Sequence, residues 1–307
     1  MESKIAFFGA SITQQNNGFA KYTTDFLKCE SQIFGYGSMH LCDAGICYID
    51  EVLNYKPKYC FIDWFSTGYI KNNKDNFDGI KLYVDTIINK FLKNGVIVIF
   101  LFFPDCSNDS ITNQPVNKKD INEKLANYLV KLNVPIIDLS EKFNNSELNL
   151  ILRGDKIHTT DFGSEVYAKH ISKVFLDDIY KKYKIPDTFP DKTKYDVVSK
   201  LDCEMSIDQF ITLKGPCEIV GISQIIGPYS GLLKINNNII NNWDPWCYYE
   251  RRMIKHNFII NDITTIEVLD DTFDYSACKH EQNWNDKKML KVKSIFYSGE
   301  LKILNYK

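Results

Sequence analysis

Lys4-Ile5-Ala6-Phe7-Phe8-Gly9-Ala10-Ser11-Ile12-Thr13 is a short apolar run that stops at a glycine, a small residue and a serine. A run of this length bounded by turn residues reads as a buried strand. A residue just past the carboxyl end of a parallel strand stands where open α/β sheets place their sites. The small Ala10 before the serine lets a substrate approach the backbone. Taken alone, Gly-x-Ser-x-Thr is also an ordinary turn after a strand, so the rest of the chain has to decide between the two.

Downstream, apolar runs alternate with amphipathic stretches, the pattern of repeated βαβ units. Strands are expected at residues 4–8, 32–35, 59–65, 96–103 and 135–138, and helices at 19–28, 43–54, 77–93, 118–132 and 162–182. The helical stretches repeat apolar residues at three- and four-residue spacing. Five strands with intervening helices imply an α/β fold with a mostly parallel sheet covered on both faces. After the last helix, Ile185-Pro186-Asp187-Thr188-Phe189-Pro190-Asp191 has two prolines and no periodicity, and is the linker candidate. The expected division is a first domain over 1–183, a linker over 184–196 and a second domain over 197–307. The second is mainly antiparallel β, with strands at 210–213, 217–222, 232–235, 257–260, 265–269, 290–296 and 300–304 separated by Gly, Asn and Asp turns. Asn236-Asn237-Asn238 and Asn241-Asn242 read as turn and loop.

The 307 residues carry 44% hydrophobic and 25% charged side chains, ordinary globular values, and no run approaches the eighteen apolar residues of a membrane span. A membrane is therefore not expected as a partner. A formal charge of -2 and only three arginines also exclude nucleic acid as an expected partner. Met1-Glu2-Ser3-Lys4 passes straight into the first strand without the features of a secretory signal, which gives a cytoplasmic expectation. The nine cysteines are odd in number and scattered, with no C-x-x-C. They read as reduced, packed thiols, and no Cys/His spacing suggests a metal site.

Far from Ser11, immediately before the last helix of the first domain, the chain reads Arg153-Gly154-Asp155-Lys156-Ile157-His158-Thr159-Thr160-Asp161-Phe162-Gly163. An Asp and a His three apart on a loop can set the imidazole over the sheet edge while the carboxylate holds its other nitrogen. A serine nucleophile needs this arrangement, a base whose tautomer is fixed by a third group. An isolated Asp-x-x-His is also a turn aspartate and a histidine near a helix start; the two features together point to the chemistry.

These blocks resemble the SGNH (GDSL-like) hydrolase family. Gly9-Ala10-Ser11-Ile12-Thr13 is similar to its first block, and Asp155-Lys156-Ile157-His158, followed by Gly163 and Ala168, to its last. The resemblance covers about residues 1–183. It implies a flavodoxin-like three-layer α/β/α sandwich and a cofactor-free, two-step acyl transfer. Ser11 would attack a carbonyl, His158 take the proton, and Asp155 orient His158. The family's oxyanion hole combines the nucleophile's own N–H, a glycine after the second strand and an asparagine after the third. Gly37 takes the glycine position, with Gly35 as the close alternative. The asparagine is absent. Asp63-Trp64-Phe65-Ser66-Thr67-Gly68-Tyr69 stands there instead, and counting from Pro57 puts Thr67 nearest the asparagine position, with Ser66 beside it. Loss of one strong oxyanion donor costs about 10²- to 10³-fold in rate. Either Thr67, Ser66 or a backbone N–H substitutes, or hydrolysis is slow.

Further residues carry double readings. His40 and Asp43 either line the pocket or form a loop and helix cap. Asp63 is a paired core carboxylate or a pocket residue. His170 on the last helix reads as a packing or surface residue. Trp243, Trp246 and Arg251, within Trp243-Asp244-Pro245-Trp246-Cys247-Tyr248-Tyr249-Glu250-Arg251-Arg252, suit sugar rings and anionic groups, and equally a domain interface. The leading expectation is an esterase that removes acetyl from an O-acetylated carbohydrate, with a small-molecule or glycan substrate. Its rivals are an acetyltransferase that passes the Ser11-bound acetyl to a sugar or nucleotide sugar, and a noncatalytic glycan-binding protein. The oligomeric state is not legible.

Overall fold

The structure, a computed structural model, describes residues 2–65, 77–104, 119–186, 198–200, 205–270, 276, 278 and 287–307. The chain divides into two units, residues 1–194 and 195–307. The linker expected at 184–196 lies largely outside the described residues.

In the first unit, β1 (Ile5–Gly9) leads through Ala10 into a single helical turn, α1 (Ser11–Gln14), and then α2 (Phe19–Leu27) and β2 (Ser31–Gly35). There follow α3 (Ala44–Cys47), α4 (Ile49–Asn54), β3 (Tyr59–Asp63), α5 (Phe77–Lys93), β4 (Ile97–Phe102), α6 (Lys119–Lys131), β5 (Ile136–Asp138), α7 (Asn145–Ile151) and α8 (Asp161–Val174), the last running into a π-helical turn, Phe175–Ile179. The five strands lie in the order β2-β1-β3-β4-β5, all parallel. Central β1, β3 and β4 are buried along their whole length, as strands covered on both faces must be, whereas Gln32 and Ile33 on edge strand β2 are exposed. On one face Phe7 stacks on Phe61 and meets Phe19 edge-on, in a cluster with Ile99, Leu101, Tyr167, Ile171 and Phe175. On the other, Phe8 packs edge-on against Trp64 and lies beside Phe91 of α5. Helices therefore cover both faces, and the unit is a three-layer α/β/α sandwich with the flavodoxin-like strand order.

Two of the expected helices are interrupted. The stretch 43–54 breaks at Tyr48 (φ -96°, ψ 12°) into α3 and α4. The stretch 162–182 changes to π-helix at Phe175.

The second unit is antiparallel throughout. Its strands are β6 (Val198–Lys200), β7 (Met205–Ile207), β8 (Phe210–Lys214), β9 (Cys217–Ile226), β10 (Leu232–Ile235), β11 (Asn238–Asn241), β12 (Arg251–Lys255), β13 (Phe258–Ile260), β14 (Ile263–Leu269), β15 (Leu290–Gly299) and β16 (Lys302–Tyr306). One sheet runs β11-β10-β14-β8-β16; the other runs β12-β9-β15-β6, with β13 on β9 and β7 on β15. Ile211, Leu233 and Ile266 of the first sheet share one core with Ile219, Leu290, Val292 and Ile295 of the second. The two sheets thus face each other across a common interior. The asparagine-rich segment, read as turn and loop, is half strand. Asn236 and Asn237 form a two-residue turn, with Asn236 at φ 53°, and Asn238–Asn241 pairs back on β10. Asparagine tolerates the left-handed conformation such hairpin turns require.

Candidate active site

The strand order reverses between β1 and β3, so the crevice of this sheet lies at their carboxyl ends. Ser11 stands there as the first residue of α1. At that position its N–H has no intrahelical acceptor. The approach is tight: Ala10 N–H donates to the Asp63 carbonyl at 3.0 Å, and a Cβ on Gly9 would come within 2.3 Å of that carbonyl oxygen. Only glycine fits. Asp63 is fully buried and accepts a 2.9 Å hydrogen bond from the Thr13 hydroxyl. It is therefore a paired core carboxylate, one that pins the turn carrying Ser11.

Gly37 follows β2, and a Cβ built on it would lie 3.9 Å from Ser11 Cβ. The structure thus brings Gly37 beside the nucleophile. Its N–H donates to Gln14 Oε1 at 2.8 Å, so an amide oxygen occupies the donor proposed for an oxyanion. Gly35 is packed on the Gln14 backbone, with a Cβ there meeting Gln14 Cα and N at 2.4 Å. Thr67 and Ser66 lie outside the described residues.

Asp155 and His158 sit on a tight loop between α7 and α8. Leu152 and Thr159 bridge as an antiparallel pair, Arg153 N–H donates to the His158 carbonyl at 2.7 Å, and Lys156 takes the left-handed conformation (φ 58°) that reverses the chain. Asp155 Oδ1 accepts the N–H groups of Ile157 and His158, each at 2.9 Å, while Oδ2 lies 2.7 Å from His158 Nδ1. Partial burial acts to raise the Asp155 pKa, but these hydrogen bonds outweigh it and hold the carboxyl below its ordinary range. An imidazole held at Nδ1 by a carboxylate presents Nε2 as the working nitrogen.

The two halves of the site meet through backbone and amides. Helices α2 and α8 pack against each other, which sets the loops preceding them side by side. Gln15 Nε2 donates to the Thr159 carbonyl at 2.8 Å, and Gln15 Oε1 accepts from Thr159 N–H and Oγ1–H, each at 3.3 Å. Asn17 Nδ2 reaches Asp161 at 3.4 Å beside them. Among the described residues no hydrogen bond joins Ser11 to His158 directly. Such contacts commonly close only when substrate is bound.

His40 belongs to the α3 cap: its N–H donates to Asp43 Oδ1 at 2.6 Å and its ring Nδ1 lies 3.4 Å from Asp43 Oδ2. Asp43 also accepts from Ala44 N–H. His170 is half-buried on α8, with its pKa lowered by burial and by Lys142 and Lys173. In the second unit Trp243 is buried at 7% exposure, whereas Trp246 is 37% exposed. Arg251 is ion-paired with Asp244 and lies over the Tyr249 ring at 5.8 Å. In the same unit Gln224 and Asn242 exchange amide hydrogen bonds at 2.7 and 2.9 Å, and His256 Nε2 reaches Asn242 Oδ1 at 2.6 Å. Sequence reading missed Gln14 and Gln15.

This architecture has solved counterparts. A two-domain esterase (CEX) active on acetylated mannans, co-crystallized with mannopentaose, matches with a TM-score of 0.64 at 14% identity, covering 97% of this chain and 91% of its own. The chain has the fold of a two-domain esterase. A second structure of a two-domain esterase (CEX) active on acetylated mannans gives a TM-score of 0.60 at 13% identity, covering 98% and 92%. The lipase/acylhydrolase from Enterococcus faecalis aligns at a TM-score of 0.48 and 17% identity over 61% of this chain and 100% of its own. No protein-family model matches the sequence, and no curated protein matches it. The likeness to the two-domain esterases runs through both units, so the second is part of a shared architecture. No helix among the described residues is long and apolar enough to cross a membrane.

Proposed function

We propose that this protein is a serine esterase that releases acetyl groups from an O-acetylated carbohydrate. The observation that carries the proposal is the preformed Asp155–His158 pair, held on a loop that Gln15 fastens to the turn bearing Ser11. The carbohydrate substrate is supported by the fold shared with an esterase active on acetylated mannans.

The proposed reaction runs in two steps. Ser11 Oγ attacks the acetyl carbonyl carbon as His158 Nε2 takes the hydroxyl proton, and Asp155 stabilises the imidazolium that forms. The oxyanion is met by the N–H groups of Ser11 and Gly37, the carbonyl oxygen displacing Gln14 Oε1 from Gly37, with Thr67 as third donor. The bond from carbonyl carbon to sugar oxygen breaks and His158 gives its proton to the departing sugar oxygen, which leaves as a hydroxyl. Water, deprotonated by His158, then attacks acetyl-Ser11; acetate leaves and Ser11 Oγ recovers the proton. Transfer to a sugar hydroxyl in place of water uses the same intermediate.

The test combines p-nitrophenyl acetate turnover with an active-site phosphonate and mass spectrometry of the adduct, followed by acetylated manno-oligosaccharides. A phosphonate adduct on Ser11 with acetate release is expected. An acetyl-enzyme released only by added sugar would make it a transferase. Absence of any adduct, with turnover unchanged in Ser11→Ala, would leave a glycan-binding protein.

A further inference from the structure

We infer that Gln15 is a positioning residue, whose side-chain amide sets the separation between the Ser11 turn and the imidazole of His158. The inference rests on the serine-esterase reading above and concerns how that site is held.

Gln15 is the residue after α1, four positions past Ser11, and Thr159 directly follows His158. The Gln15 amide pairs with the Thr159 backbone as a neighbouring strand would, giving at the carbonyl and receiving at the N–H, across 144 residues of sequence. Both ends are fixed. Gly18 N–H donates to the Gln15 carbonyl at 2.8 Å, and a Cβ on Gly18 would approach the Gln15 carbonyl oxygen to 2.7 Å. Thr159 is fully buried, and its hydroxyl also meets Ser164 Oγ at 2.6 Å. Arg153 braces the same loop through Nε to the Thr159 carbonyl at 2.8 Å, but it belongs to that loop and carries no information about Ser11. Gln15 joins the nucleophile's turn to the base's loop at the residue next to His158. Asp155 fixes the tautomer and rotation of the imidazole; Gln15 fixes where the loop stands. Displacing a reacting group by about 1 Å costs on the order of 10²-fold in rate.

The experiment compares wild type, Gln15→Met, Gln15→Glu, His158→Ala and the Gln15→Met/His158→Ala double variant. Readouts are p-nitrophenyl acetate kinetics, the rate of phosphonate labelling at Ser11, and thermal melting. Met keeps the length and loses every hydrogen bond, so kcat and the labelling rate should fall about 10- to 100-fold with KM nearly unchanged, while the melting temperature falls by the modest amount expected when the buried Thr159 N–H loses its partner. Glu keeps the two acceptor bonds but sets a carboxylate oxygen against the Thr159 carbonyl, so its rate should fall at least as far as that of Met. In the His158→Ala background Gln15→Met should add no further loss, because two groups acting as one unit are non-additive. Wild-type rates in Gln15→Met, or an undiminished effect without His158, would overturn the inference while leaving the esterase standing. Failure of wild type to label at Ser11 would instead remove the esterase reading, and the inference with it.

Discussion

Asp155 divides its bonds between its two oxygens: Oδ1 serves the backbone N–H groups of Ile157 and His158, and Oδ2 serves the His158 ring. Asp155→Asn therefore separates shape from chemistry. An amide oxygen can still accept both backbone N–H groups, but its NH₂ faces Nδ1 as a donor and favours the wrong tautomer. The expected result is a kcat reduced by up to about 10⁴-fold with the loop retained, read from steady-state kinetics beside melting curves. The same carboxylate gives a pH dependence. Its pKa is depressed in the folded state, so its stabilising contribution is present above the unfolded value of about 3.9 and lost as pH falls through the lower folded value. The melting difference between wild type and Asp155→Asn should shrink in acid over that window, and only modestly, because the side chain is half exposed. The place of Ser11 at the end of β1 and the pairing of Asp155 with His158 were legible, because a strand that stops at Gly-Ala-Ser and an Asp-x-x-His loop can both be read from short spacings. Gln14 and Gln15 were not: amides that grip backbone across 23 and 144 residues leave no spacing to read.

Helices α5 and α6 meet at a polar contact, the Tyr128 hydroxyl donating to Asp85 at 2.5 Å, with Asp85 only 3% exposed. Burial first, and the Asp85 carboxylate second, drive the Tyr128 pKa upward, so the phenol stays a donor through the neutral range. Tyr128→Phe takes a donor from a buried carboxylate, a loss of about 1–3 kcal/mol. Urea unfolding should show a lower midpoint with an unchanged slope; an unchanged midpoint would mean that other partners of Asp85 suffice. The strands of the first unit were legible as short continuous apolar runs, because they are buried on both faces, and its long helices by their 3.6-residue period. Helix α1 was not, since a four-residue turn has no period. The break at Tyr48 was hidden for a different reason: its flanks, Ala44–Cys47 and Ile49, are all buried, and a run that is apolar throughout conceals a kink. Helix α7 did leave a signal, the Asn144/Glu147 capping box, too local to register beside the longer patterns. In the second unit β12 went unread because Arg251 and Arg252 look like loop, although they pair in register with Ile226 and Ile225.

At the scale of the whole molecule, Ser11, Gly37, Asp155 and His158 all belong to the first unit, while the exposed aromatics of the 243–252 segment belong to the second. That segment is braced from within: Trp246 N–H donates to Asp244 Oδ1 at 2.9 Å, Asp244 pairs with Arg251, and Lys255 Nζ reaches the Trp243 carbonyl at 3.1 Å. Trp243 and Arg251 thus serve as support, whereas Trp246 and Tyr249 are 37% and 46% exposed. A rigid exposed indole is the side chain a sugar ring stacks on. Substrate choice then separates the two units. p-Nitrophenyl acetate carries no sugar ring, whereas an acetylated oligosaccharide does. Trp246→Ala should leave p-nitrophenyl acetate kinetics and melting unchanged and raise KM for the oligosaccharide about 2- to 12-fold, the equivalent of about 0.5–1.5 kcal/mol of stacking. A parallel loss on both substrates would point to damage reaching the first unit, and no loss on either would remove the second unit from substrate recognition.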